Sequence, residues 1–312
     1  MTEPEKPTSN DARSASMGYE YKKEDAPKEK VKGAGLAYVE IIRPLNCVMA
    51  AVAVYIAAVI AGVTVVPSIP PLGLGLAMVV VFLICGAGMV ANDIYDIEID
   101  RVNKPKRPLP SGRMSARSAK AYAAALFIIG ILVSYFINIY AFGVAVIASL
   151  LLVAYASKLK KVMFAGNVTV SLLVALTFIY GGLLNFSLNN FQQLLVVLPL
   201  AVLAFLSNIG RELYKTIEDA LGDKKAGADT FAVKYGIFRA RTIASAFIII
   251  SVFLSFVPFV LGTLGMVYLM VVIIADIIFI AAVLAPVRHA SKFTKFAMLI
   301  ALIAFLIGAI FK

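Results

Sequence analysis

The sequence predicts an all-α integral membrane bundle of about nine transmembrane helices, arranged as two pseudo-repeated four-helix halves plus one further helix. Of its 312 residues 61% are hydrophobic, and the mean hydropathy is +0.92, well above the roughly half-apolar composition of soluble domains. The apolar residues come in runs of about twenty, the length a helix needs to cross a bilayer. Charged residues between these runs gather in every second loop.

The runs fall at 38–62, 72–92, 118–139, 141–157, 167–185, 193–213, 242–262, 265–285 and 294–311. Pro44 stands near the start of the first, where a missing N–H does least harm. The third and fourth runs are separated only by the short stretch Asn138–Phe142. Cys47 and Cys85 sit inside apolar runs without metal-ligand spacing and read as packing residues. Residues 1–35 mix Glu, Lys, Pro, Ser and Asp with no apolar face, so a disordered tail is expected there, followed by a membrane domain over 36–312. That tail lacks the apolar stretch of a cleaved signal peptide.

The net charge of +11 raises the question of nucleic acid. The basic residues, however, cluster in short loops beside apolar runs, which points to membrane orientation and to no nucleic-acid partner. Arg101, Lys104, Lys106, Arg107, Arg113, Arg117 and Lys120 follow the second run, and Lys158, Lys160 and Lys161 follow the fourth. Lys215, Lys224, Lys225, Lys234, Arg239 and Arg241 surround the loop after the sixth, and Arg288, Lys292 and Lys295 follow the eighth. The intervening segments GVTVVPSIPP and LNFSLNNFQQ and the turn near Gly262 carry no charge. The positive-inside bias therefore predicts a multi-pass cell-membrane protein with its N-terminus and charged loops in the cytoplasm.

Two acidic motifs stand in those loops, one after the second run and one after the sixth, as a weak internal repeat with a shared site would place them. In the first, Asn92, Asp96 and Asp100 recur every fourth residue and share a helix face. Oxygens stacked in this way repel one another; a bound cation resolves the conflict, and oxygen ligands favour magnesium. Asp93 and Glu98 are expected to point elsewhere, in a supporting or solvated role. In the second, Asp219 and Asp223 again lie four apart. Two such clusters facing each other fit two Mg2+ ions bridging one diphosphate, because magnesium takes one or two carboxylates together with substrate phosphates. The bland reading, a solvated helix end with scattered charge, is disfavoured by the cost of acids near lipid.

Arg43, Lys104, Arg107, Arg113, Lys158 and Lys160 are candidates for neutralising diphosphate oxygens, with orientation anchors as the competing reading for each. Arg43 begins a membrane helix beside Asn46, which joins it as a substrate-binding candidate. Asp276 stands alone in VVIIADIIFI, where structural pairing and cavity lining are both open. His289, the single histidine, lies in a basic loop and takes no role.

NDIYDIEIDRVNKPKRPLPSGRMS resembles the first signature of the UbiA-type intramembrane prenyltransferases, and DALGDKKAGADTFAVKYG resembles their second. The likeness spans residues 37–312. It implies the nine-helix layout, a Mg2+ cofactor and a prenyl diphosphate donor, with Asn92, Asp96, Asp100, Asp219 and Asp223 holding metal and diphosphate and the four aspartates acting as the catalytic set. Many relatives carry Asp or Asn where this chain has Thr216, so a third acidic ligand from the second loop is in question, with Glu218 adjacent. YVEIIRPLNCVMA together with RPLPSGRMS looks most like the archaeal ether-lipid branch of the superfamily. That likeness implies transfer of a geranylgeranyl group to the hydroxyl of a lipid-like glyceryl phosphate acceptor, among membrane lipids, with release of diphosphate. An aromatic or tetrapyrrole acceptor is the alternative within the class. A cation transporter is the alternative outside it, and would place acids near the bilayer midplane in broken helices.

Overall fold

The computed structural model describes residues 34–62, 71–186, 191–225 and 230–311, with side chains throughout except at 34, 71, 185 and 221–225. The expectation of a disordered tail over 1–35 falls almost wholly on residues outside these; only Ala34 and Gly35 are described, and they already belong to the first helix. The helices are α1 (Ala34–Ile41), α2 (Pro44–Ile60), α3 (Pro71–Tyr95), α4 (Ile97–Asn103), α5 (Ala116–Tyr135), α6 (Ile139–Ser157) and α7 (Ala165–Gly182). They continue with α8 (Gln192–Lys225), α9 (Phe231–Tyr235), α10 (Ile237–Leu254), α11 (Val257–Val260), α12 (Met266–Leu284) and α13 (Val287–Ile310). Eight of them are long and apolar enough to cross a membrane, and α1 with α2 makes a ninth, bent span, among the described residues.

The first span is broken rather than continuous. Arg43 sits between α1 and α2 with φ 51 and ψ 67, and the two helices meet at 49°. Pro44 explains the break, because its ring crowds the preceding residue out of the right-handed helical region. The separation of the third and fourth spans is equally local. Asn138 is extended, its side chain accepts from Ala141 N–H at 2.8 Å, and it donates to the Leu183 carbonyl at 2.9 Å. Within the spans, hydroxyls bond back to the preceding turn, as Ser149 to Ala145 and Thr169 to Ala165, which leaves no polar group facing hydrocarbon at those sites.

The halves echo one another in packing. Helix α3 rests against α2, α5 and α6, and α8 rests against α7, α10 and α13. Contacts of α2 with α7 and of α13 with α2 join the halves. Helices α3 and α8 each carry one acidic motif at the same end of the bundle, here termed the motif end. At the opposite end the core is built by Ile56, Ile60, Phe178, Leu200, Leu264, Tyr268 and Phe305, with the Tyr268 and Phe305 rings stacked at 5.6 Å.

Small residues set the helix spacing, as expected where lipid is as apolar as the side chains and close van der Waals contact must supply the attraction. A Cβ on Gly181 would come within 2.4 Å of the Val54 carbonyl oxygen, and one on Gly210 within 2.7 Å of Ile248 and 3.0 Å of the Ala244 carbonyl. Gly143, by contrast, faces open space. Gly181→Leu is therefore expected to destabilise the protein by about 1–3 kcal/mol or more through overpacking, and Gly143→Leu to leave it unchanged. Thermal unfolding of the two variants in one detergent checks this.

Candidate active site

The first motif straddles the junction of α3 and α4. The chain turns at Asp96, yet Asp96 N–H still donates to the Asn92 carbonyl at 3.1 Å and Asp100 N–H to that of Asp96 at 2.8 Å. Helical spacing therefore persists, and Asn92, Asp96 and Asp100 keep the shared face expected of them.

Their side chains are held in two groups. Asn92 Nδ2 donates to Asp96 Oδ2 at 2.9 Å. Lys160, carried on the short 3₁₀ turn Leu159–Lys161 after α6, donates to Asp96 Oδ1 at 2.5 Å and to Asn92 Oδ1 at 3.5 Å. In the second group, Arg107 Nη1 donates to Asp100 Oδ2 at 2.6 Å and to Asp93 Oδ1 at 3.2 Å, and Arg43 Nη2 donates to the same Asp93 oxygen. Cations do resolve the stacked-acid conflict, and in this structure they are side chains.

Asp93 takes the supporting rather than the solvated of its two expected roles. It does not point away in a solvated role but is buried at the centre of the network. Asp93 and Asp100 lie seven residues apart, two helical turns, so one guanidinium reaches both. That i, i+7 relation was available in the sequence. Arg43, by contrast, is brought in by the tertiary fold across fifty residues. Glu98 is solvated as expected, paired with Arg101 at 2.9 Å.

The other candidates are placed unequally. Arg113 is bound to Glu40 at 2.6 and 2.9 Å and to the Lys106 carbonyl at 2.6 Å, tying the loop to α1. Asn46 is half-buried on the first turn of α2, its N–H bonded to the Arg43 carbonyl at 2.9 Å. Lys104 and Lys158 are exposed. Thr216 donates to the Leu213 carbonyl, whereas Glu218 and Asp219 are exposed at the outer part of α8. Asp223 lies on α8, but its side chain is outside the described residues. Among the described residues no three acidic, histidine or cysteine side chains gather as a ready-made metal site. Asp276 resolves toward structural pairing: Ser255 donates to its Oδ2 at 2.7 Å, and Tyr268 donates to the Ser255 carbonyl at 2.6 Å.

Two groups escaped the sequence reading. Glu212 is buried on α8, with Arg211 donating to it at 2.6 Å and Lys215 Nζ lying 3.8 Å away, beyond hydrogen-bond distance. The other is Tyr155, half-buried on α6.

Because two guanidiniums share the Asp93 oxygen, losing one does not strand it. Arg43→Ala is expected to destabilise by about 2–3 kcal/mol, less than the ~3–5 typical of a buried pair losing its sole partner. The exposed Arg101–Glu98 pair, removed by Arg101→Ala, is expected to cost at most about 1 kcal/mol. Denaturation of both variants under matched detergent conditions measures the difference.

Comparison with known proteins agrees with this geometry. Residues 50–309 match the UbiA prenyltransferase family. A digeranylgeranylglyceryl phosphate synthase of Methanoregula boonei is 41% identical over 218 residues, covering 70% of this chain and 75% of the relative. One from Pyrococcus furiosus is 41% identical over 232 residues, covering 73% and 78%. A solved structure described as giving insight into digeranylgeranylglyceryl phosphate synthase in membranes superposes with a TM-score of 0.75 at 39% identity, over 89% of this chain and 99% of its own. A UbiA homologue from Archaeoglobus fulgidus, solved with GPP and Mg2+, shares the fold at a TM-score of 0.59 and 18% identity, over 87% of this chain and 98% of its own. With a family match over most of its length and close relatives covering two thirds of it or more, the chain is a multi-pass membrane protein of the UbiA prenyltransferase family.

Proposed function

We propose that this protein transfers a geranylgeranyl group from geranylgeranyl diphosphate to the hydroxyl of geranylgeranylglyceryl phosphate, forming an ether and releasing diphosphate. The observation that carries the reading is the convergence of Arg43, Arg107 and Lys160 on Asp93, Asp96 and Asp100 at one end of an otherwise apolar bundle. The choice of acceptor draws its support from relatives near 40% identity that are named for that reaction.

The donor set suits magnesium. Asn92, Asp96 and Asp100 offer only hard oxygen ligands from one helix face, and Asp219 adds a carboxylate that is exposed and able to turn inward. These residues, with Asp223, would hold the metal, as suits a family in which a homologue was solved with GPP and Mg2+. Bound there, magnesium would neutralise charge on the diphosphate and improve it as a leaving group.

The chain's own groups do the rest. Arg43 and Arg107 present planar forks able to grip phosphate oxygens in pairs, and Lys160 adds a point charge. Together they stabilise the negative charge that develops as the C1–O bond breaks. Inward of this layer the bundle is apolar, so the prenyl chain runs along hydrocarbon surface and the allylic cation is kept from water. Lys158 and Asn46, set back from the acidic cluster, are available for the acceptor's phosphate, while Arg113 is committed to Glu40 and the Lys106 carbonyl.

The motif end is assigned to the cytoplasm, since Lys and Arg concentrate in its loops. A single cysteine introduced at Lys120, in a background free of Cys47 and Cys85, is expected to react with an impermeant thiol reagent in inside-out vesicles and not in right-side-out ones. The reverse pattern would invert the topology.

The function is tested in membranes supplied with labelled geranylgeranyl diphosphate, magnesium and geranylgeranylglyceryl phosphate. An ether product is expected, abolished by chelation and reduced on the order of 100-fold or more by Asp96→Ala. Turnover with an aromatic acceptor alone would overturn the acceptor, and absence of turnover with any acceptor would overturn the reaction.

A further inference from the structure

Transfer of an allylic group to an alcohol leaves a proton to be placed, and the residues already assigned do not place it. Asp96 and Asp100 are engaged by Lys160 and Arg107, and Asp93 by two arginines. We propose that Glu212 is the base that accepts the acceptor's hydroxyl proton, an inference that rests on the prenyl-transfer reading above.

Its position on α8 is the first ground. Glu212, Thr216, Asp219 and Asp223 follow one another at intervals of four, three and four residues and so form one stripe along the helix. Glu212 is the innermost, seven residues before Asp219, which at 1.5 Å per residue is about 10 Å deeper into the bundle. A donor whose diphosphate sits at the motif end, with its tail directed inward, puts C1 just inside the diphosphate. The reacting layer is thus at the depth of Glu212 rather than of the exposed Asp219. Asn208, one turn before Glu212 and on the same helix face, is buried and donates across to Ser171 of α7 at 3.1 Å, which sets this side of α8 against the bundle interior.

The second ground is the state of its oxygens. Arg211 Nη1 occupies Oε1 at 2.6 Å. Lys215 Nζ, 3.8 Å from Oε2, is beyond hydrogen-bond distance. One oxygen is therefore anchored, while Oε2 has no hydrogen-bond donor among the described residues. An anchored carboxylate with one available oxygen is what proton abstraction in a water-poor site needs.

The third ground is the surrounding seam between α7 and α8. Asn208 donates to Ser171 at 3.1 Å, and beside that bond two buried donors, Asn167 Nδ2 and Arg211 Nε, have no partner among the described residues. Asn167 is one turn from Ser171, and Arg211 three residues from Asn208. Buried donors without partners are costly and call for a ligand. The glyceryl oxygens of the acceptor supply the partners, and seating them there brings its free hydroxyl to Glu212.

The step balances. The C1–O bond of the donor breaks with its electron pair passing to diphosphate, a lone pair of the acceptor oxygen forms the new C1–O bond, and the hydroxyl proton moves to Glu212 Oε2. Proton release from Glu212 to solvent after product departure resets the site.

The test uses the full-length protein in membranes, as wild type, Glu212→Gln and Glu212→Asp. Three quantities are read: ether formed, prenyl alcohol released by hydrolysis of the donor, and binding of a non-hydrolysable geranylgeranyl thiodiphosphate. In Glu212→Gln, ether formation is expected to fall about 10²–10⁴-fold, the usual contribution of a positioned base. Analogue binding should stay within about threefold and hydrolysis should persist, so that product partition shifts to prenyl alcohol, while Glu212→Asp recovers part of the ether. Wild-type ether formation by Glu212→Gln overturns the inference, as does a parallel loss of analogue binding in both variants, which marks a structural ion pair. No ether from the wild type overturns the transfer reading, and the inference falls with it.

Discussion

Two guanidinium groups meet at one oxygen of the buried Asp93 carboxylate, and the motif end is arranged around that neutralisation. A carboxylate taken from water without partners costs several kcal/mol even after relaxation, so its neighbours are constrained more tightly than apolar packing alone would require. Arg43 must stand at the head of α2, facing α3. Arg107 must return across the loop after α4 to reach both Asp93 and Asp100. The left-handed backbone at Arg43, which costs about 1 kcal/mol, is accepted because Pro44 forbids the helical alternative and the bend aims the side chain at Asp93.

The two halves share a plan and differ in charge. Helices α3 and α8 take corresponding places, each packed by the spans before and after it and each bearing its acids at the same end. On α3 the acids are already matched by basic side chains. Among the described side chains of α8, the outer acid Asp219 is exposed and the deeper Glu212 is held. A polyanion entering between them meets bound cations on one side and uncommitted carboxylate on the other. That asymmetry suits a metal–diphosphate which needs both ligands and counter-charges.

Below the charged layer the structure relies on shape. Gly181 against the Val54 carbonyl and Gly210 against the Ala244 carbonyl bring α7 to α2 and α8 to α10 at backbone contact. Large side chains such as Leu132, Phe253, Ile274 and Ile277 face outward, which in a bilayer is their proper solvent. Asp276 fits this pattern as an internal fastening, its carboxylate closed off by the Ser255 hydroxyl where α10 ends.

By itself the sequence determined the spans, their alternation and the first acidic face. Bilayer thickness fixes helix length, and the helical repeat fixes which of Asn92, Asp96 and Asp100 share a side; both are local rules. The tertiary structure decided which charges meet. Lys160 rather than Lys158 reaches Asp96 because a 3₁₀ turn follows α6, and Arg113 turns to Glu40, seventy-three residues away. Glu212 is buried and bonded to Arg211, which no spacing in the second motif announces. Asp93 lies off the face shared by Asn92, Asp96 and Asp100, where a supporting or a solvated role was open, and it is the centre of the network because Arg43 reaches it from another helix. Periodicity states which face a residue occupies; what stands opposite that face depends on contacts between distant segments, which no local spacing encodes.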